Sequence, residues 1–348
     1  MSRDIPAAPH IPFRPDWLAQ HVEQALEPTL PIIDPHHHLW QFPEKTYRSA
    51  DLLDDLASGH NVRATVFVEC QTCYRVSGPA EMASLGEVEF VLGEIDAARA
   101  AGSSTRVAAA MVGYADLLLG ARVTPVLEGL ISSSAGRVRS IRNIGVWHAD
   151  PTVRASVATP PPYLLMNARF REGVSRLAPL GLGFDAWVIH TQLDELGSLA
   201  GACPETRIVL NHVGGPLGIG PYRGQRDDVF RQWRGSMQEL ARYPNVHIKL
   251  GGFGMTLFGF DFYRQPKPPS SVEVAEVIRP YVETCVEAFG AQRCMFESNF
   301  PVDKGNVAYG VLWNAFKRVA MHASATEKAW LFHDTAAGFY RIEGTPAG

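Results

Sequence analysis

Eight short apolar runs recur along this chain, each separated from the next by a longer stretch, and that alternation narrows the folds open to it. The runs span 31–39, 62–70, 105–112, 138–144, 183–190, 207–212, 245–250 and 294–300. β-Branched residues enrich them, and several are apolar at nearly consecutive positions, as in Ala64-Thr65-Val66-Phe67-Val68 and Ile208-Val209-Leu210. Such runs suit strands covered on both faces, as in a parallel sheet between helices. Between them, 79–101 carries Leu85, Val88, Leu92, Ile95 and Ala98 at helical spacing, and 227–242, 272–289, 306–321 and 326–340 also read as helices. Strands alternating with helices predict a closed barrel or an open doubly wound sheet. No G-x-G-x-x-G follows the first run, which counts against the dinucleotide-binding form of the open sheet. The expectation is therefore α/β: a (β/α)8 TIM barrel, regular or distorted, with an N-terminal arm and a C-terminal helix laid over it.

Such a barrel needs about 250 residues. The 348 residues accommodate an extension over 1–30, the barrel over 31–343 and a tail over 344–348. With 46 % hydrophobic and 20 % charged residues, a large core is expected. A net charge of −4 gives no electrostatic reason to expect nucleic acid as a partner. No run reaches the roughly 18 apolar residues of a membrane span. The N-terminus, with Asp4, Pro6, Pro9, Pro12 and Pro15, has no apolar signal segment. Five cysteines, odd in number and sparse, fit reduced thiols and a cytoplasmic location. Cys70 and Cys73 form a lone C-x-x-C and read as two unrelated residues at a strand end.

In a barrel of this kind the chemistry sits at the C-terminal ends of the strands. The first run ends Asp34-Pro35-His36-His37-His38. Residues two apart on a strand share a face, so His36 and His38 project together into the barrel mouth and His37 points away. Converging imidazoles hold a divalent metal or donate to a substrate oxygen, with Asp34 placed to orient one of them. The fifth run ends at His190 and the sixth at His212, where Gly214 and Gly215 permit a sharp turn. Glu69, Arg142 and Lys249 also end strands. Arg142 and Lys249 suit an anionic substrate or a carbonyl oxygen, or else serve in salt bridges within the wall. Glu69 reads as a base or a partner of Arg142, and Asp303, just past the eighth strand, as a general base.

The segment Asp34-Pro35-His36-His37-His38-Leu39-Trp40 resembles the D-x-H-x-H-L-W opening of the amidohydrolase superfamily. Further stretches agree: Ser140-Ile141-Arg142-Asn143, Leu210-Asn211-His212-Val213-Gly214-Gly215-Pro216, Val246-His247-Ile248-Lys249-Leu250-Gly251-Gly252 and Ser298-Asn299-Phe300-Pro301. Over roughly 32–342 the chain is similar to the amidohydrolase-related group that includes L-fuconolactonase-like and 2-pyrone-4,6-dicarboxylate lactonase-like proteins. The resemblance implies one divalent ion, Zn²⁺ or Mn²⁺, on His36, His38 and His190, with His212 as a catalytic histidine. Asn299 stands where the superfamily's last acid is expected. It reads instead as a substrate contact beside Arg142 and Lys249, and a binuclear centre is not expected. A metal-independent version, in which histidines and Arg142 polarise the substrate directly, stays open.

Three functions follow as expectations. One is hydrolysis of a lactone, sugar-acid or muconic/pyrone-type and carboxylate-bearing, by an activated water, with Asp303, His212 and Glu69 as catalytic candidates. The second is metal-dependent non-oxidative decarboxylation of an aromatic or unsaturated acid. The third is binding of a small acidic metabolite without turnover. All three take a small, anionic molecule; a homo-oligomer is compatible with each. Specificity is expected in loops 74–79, 147–163, 216–225 and 255–269, and the aromatic stretch 253–263 in a pocket lining or an oligomer surface.

Overall fold

A computed structural model describes residues 10–153, 156 and 158–344. The sequence positions Asp4, Pro6 and Pro9, part of loop 147–163 and most of the tail lie outside these. Eight parallel strands form one sheet in chain order: β1 (Pro31–His37), β2 (Asn61–Val68), β3 (Arg106–Gly113), β4 (Val138–Arg142), β5 (Gly183–Ala186), β6 (Ile208–Leu210), β7 (Val246–Leu250) and β8 (Cys294–Phe296). Each pairs only with its sequence neighbours, and a parallel bridge between His37 and Phe300 joins the two ends of the sheet. The His38 amide donates to the Phe300 carbonyl at 2.7 Å, and the Asn299 amide to the His36 carbonyl at 2.9 Å. The barrel thus closes at the segment that carries its histidines.

One helix follows each strand: α1 (Ser49–Leu56), α2 (Leu85–Ala100), α3 (Thr124–Ser133), α4 (Ala168–Ser175), α5 (Leu193–Ala202), α6 (Arg226–Leu240), α7 (Ser271–Phe289) and α8 (Tyr309–Val319). Local signals start several of them. Asn167 caps α4 by accepting the Arg169 and Phe170 amides, and Ser270 with Glu273 forms a reciprocal capping box on α7. Each strand sends alternate residues to opposite sides. Ile33, Ala64, Val66, Val68, Ala110, Val112, Val209 and Met295 fill the interior, while Ile32, Phe67, Phe184 and Ile208 join the larger core beneath the helices.

The chain ends in a helical segment, Ala325–Ala329, Trp330–Asp334 and Thr335–Tyr340, whose middle part is a π-helical turn. Its Ala336, Phe339 and Tyr340 pack onto the interior layer of the barrel. Arg106 and Arg207, at the N-terminal ends of β3 and β6, donate to the carbonyls of Glu343 and Gly338. The terminal helix therefore plugs the bottom of the barrel, and the opposite, C-terminal mouth is where ligand access remains. Residues before β1 run along α8: the Leu26 amide donates to Asn314 at 2.8 Å, and Lys317 donates to the Leu26 carbonyl at 2.6 Å. A short antiparallel ribbon, Trp40–Phe42 with Lys45–Tyr47, stands on the mouth immediately after β1. No helix among the described residues is long and apolar enough to cross a membrane.

Candidate active site

Three imidazoles meet at the barrel mouth. The His36 and His38 ring centroids lie 5.0 Å apart, and those of His36 and His212 4.6 Å apart. His37 turns outward and its Nε2 meets the Thr65 hydroxyl at 2.9 Å. Asp34 does not orient a ring. It accepts the backbone amides of His36 (3.3 Å) and Ser298 (3.0 Å) and the Tyr309 hydroxyl (3.0 Å), so it ties β1 to the segment after β8.

The group that orients the rings is Glu297, to which the sequence reading gave no role. Its Oε1 accepts both the Nδ1–H of His212 at 2.7 Å and the backbone amide of His212 at 3.0 Å. Its Oε2 lies 2.7 Å from His36 Nδ1. Burial pushes the Glu297 carboxyl up to about 8, while Lys249 pulls it the other way. Burial, followed by the nearby cations Arg142 and Lys249, holds His212 well below the usual imidazole range, so its ring is neutral near pH 7. With Nδ1 protonated toward Glu297, the His212 Nε2 is a lone-pair nitrogen. His38 is locked the same way. Its Nδ1 donates to the Val68 carbonyl at 2.7 Å, which leaves Nε2 free to accept.

The turn that presents His212 is unusual. His212, Val213, Gly214 and Gly215 all have positive φ, which fits the Gly-Gly pair. Close packing against the ring falls to Gly252, at φ +72°, where an added Cβ would lie 2.6 Å from His212 Nδ1. Gly252→Ala is expected to push the ring off Glu297. The strain costs about 1–3 kcal/mol, and a displacement near 1 Å lowers turnover about 100-fold. A thermal melt read beside kinetics checks both; unchanged turnover would mean that the ring position is not critical.

His38, His212, Arg142, Glu69 and Asn299 line a cavity of about 340 Å³, together with Trp40, Phe42 and Trp187. Arg142 Nε donates to Glu69 Oε1 at 2.6 Å, and a second guanidinium nitrogen donates to the Glu69 carbonyl. Guanidinium has five N–H groups, so donors remain for a ligand. Glu69 Oε2 is buried without a partner among the described residues.

Several expected site residues stand elsewhere. Asp303 is buried behind Asn299, where its two oxygens accept the Gly254 amide and the Asn299 side-chain N–H, both at 2.8 Å. Burial pushes its carboxyl well above the usual range. It does not line the cavity, and it holds Asn299 in place rather than facing a water as a base. Lys249 is fully buried below the mouth. It pairs with Asp185 at 2.7 Å and approaches His36 Nδ1 at 3.3 Å, so it is not a wall of the cavity. His190 does not line the cavity either. Its Nδ1 accepts the Leu217 amide at 3.4 Å, and its ring packs edge-on against Tyr222 at 5.1 Å. The aromatic stretch 253–263 packs inward: Phe253 and Phe258 are buried, and Phe260 stacks on Phe258 and meets Tyr281 of α7 edge-on. From that loop only Met255 reaches the cavity.

For a metal, the donor atoms that come within 4.8 Å of one another among the described residues are those of His36, His212 and Glu297, all buried. The expected set of His36, His38 and His190 is not so gathered. The chemistry around the observed set fits a dication poorly. Lys249 Nζ lies 3.3 Å from one His36 nitrogen and Arg142 Nη1 3.5 Å from the other, so two fixed cations flank the ring. A dication there would also displace the His212 N–H bond to Glu297.

The amidohydrolase family profile matches residues 33–342, and the chain belongs to that family. An uncharacterised protein of Sinorhizobium fredii is 32 % identical over 335 residues, covering 89 % of this chain and 98 % of that one. An L-fucono-1,5-lactonase of Burkholderia multivorans is 27 % identical over 315 residues, covering 89 % of this chain and 96 % of its own. A crystal structure of an amidohydrolase from Burkholderia multivorans with bound zinc superposes with a TM-score of 0.67 at 24 % identity, covering 89 % of this chain and 99 % of that one. The class is therefore an amidohydrolase-superfamily enzyme on a (β/α)8 barrel.

Proposed function

We propose that this enzyme opens a lactone by attack of water on the ring carbonyl, with His212 as general base. The observation that carries the reading is the pair of imidazole Nε2 lone pairs, on His38 and His212, held by Nδ1–H bonds beside a cavity that also offers guanidinium N–H groups. A water donating one hydrogen to the His212 Nε2 keeps an oxygen lone pair for the carbonyl carbon. Arg142 donates to the carbonyl oxygen as negative charge develops there. His212 takes the water proton, and Glu297 stabilises the resulting imidazolium. The tetrahedral centre collapses with cleavage of the ring C–O bond, and the proton passes from His212 to the departing ring oxygen. The products are one hydroxyl and one carboxylate, with net release of a proton. The curated lactonase relative supports the same reaction class.

The decarboxylase reading draws on a divalent metal, which the cations beside His36 disfavour. Screening a lactone panel with a pH indicator, before and after chelation, tests the proposal. Acid release that survives chelation and is abolished by His212→Asn is expected. Silence on every lactone, or CO2 release that requires added metal, would replace this reading.

A further inference from the structure

We propose that Lys45 is the seat of a substrate carboxylate, so that the lactone taken by this cavity is an anion with an unsaturated or aromatic body. The inference rests on the lactone-opening reading for the reactive end of the substrate and adds the group that selects its other end.

Lys45 begins the second strand of the ribbon and lines the same cavity as Arg142 and His212. Its ammonium lies 4.0 Å from the centre of the Trp40 ring and 2.8 Å from His10 Nδ1. Burial, and then Lys45 itself, hold His10 down to about 4, so that ring accepts a hydrogen bond without bringing charge. No carboxylate lies within 4.0 Å of Lys45 Nζ among the described residues, whereas Lys249 pairs with Asp185 and Lys304 with Asp55. The acid lining the cavity is Glu69, already paired with Arg142. With neutral histidines, the lining carries one positive charge that no wall residue cancels, and that charge is Lys45. An ammonium has three N–H donors, and His10 takes one. The others suit a carboxylate, which forms stronger hydrogen bonds than a neutral acceptor. Trp40 under the Lys45 ammonium, Phe42 beside it and Trp187 edge-on to His212 at 4.7 Å line the same cavity as flat apolar surface for the body of the substrate.

Calorimetric titration with benzoate and with its neutral isostere benzamide tests the seat without turnover, on the wild type, Lys45→Met and Lys45→Arg. Benzoate is expected to bind the wild type about tenfold more tightly than benzamide. Lys45→Met is expected to erase the difference and Lys45→Arg to keep most of it. Equal affinities in the wild type, discrimination surviving in Lys45→Met, or no saturable benzoate binding would overturn the proposal. If benzoate is preferred through Lys45 yet no lactone is opened, the anion seat stands and the proposed reaction falls.

Discussion

Glu297→Gln is expected to lower kcat by about 10²–10⁴ while the fold survives, the range lost when a general base is disabled. The amide nearly matches the carboxylate in size but presents N–H on one side. Its oxygen takes the His212 side, where both the ring Nδ1–H and the backbone amide donate, and its N–H turns toward His36. The His212 tautomer is kept, but the transient imidazolium loses its counter-charge. The pH dependence has a definite sign. Burial raises the Glu297 carboxyl to about 8, so the ionised form that supports the imidazolium is populated as pH rises through that value. Turnover of the wild type should climb across that range, and the Gln variant should lack the limb. Circular dichroism beside the rate profile separates lost chemistry from lost structure; a variant with normal turnover would remove Glu297 from the mechanism.

Lys249→Met is expected to destabilise the protein by about 3–5 kcal/mol, the cost of stranding one member of a buried ion pair. Lys249 and Asp185 are both 0 % exposed and 2.7 Å apart. Asp185 would keep hydrogen bonds from Tyr340 at 3.0 Å and Asn211 at 3.1 Å, but no cation. A fall in Tm of about 4–7 °C follows for a chain of this size. Adding Asp185→Asn should recover part of the loss, because the second change removes the stranded charge. A single variant that melts with the wild type would show that the pair contributes little.

Much of the barrel is legible because buried parallel strands are written as apolar runs, and all eight runs became strands. The helices read from periodicity were the longer ones, such as α2 and α7. α1, α3, α4 and α5 are only 8–10 residues long and leave too few turns for a stripe to stand out. At the site, the alternation that aimed His36 and His38 inward also bore on the eighth strand. Met295 faces the interior, so Glu297, two residues on, faces the mouth. Asp303 is the more conspicuous acid along the sequence, but its buried position behind Asn299 depends on the turn after Phe300. Lys249 ends a strand as expected, yet its depth depends on Asp185 and on Tyr340 from the terminal helix, both remote in sequence. Lys45 was illegible for a different reason. Nothing local shows that residues 40–47 double back over the barrel mouth, and its lack of an acidic partner is a property of the assembled cavity.

The most direct measurement is turnover of a carboxylate-bearing lactone in ¹⁸O-enriched water by chelator-treated protein. The account predicts one ¹⁸O in the newly formed carboxylate, at a rate unchanged by chelation and lost in His212→Asn. A rate that returns only with added zinc, or a His212→Asn variant that still incorporates label at the wild-type rate, would contradict it.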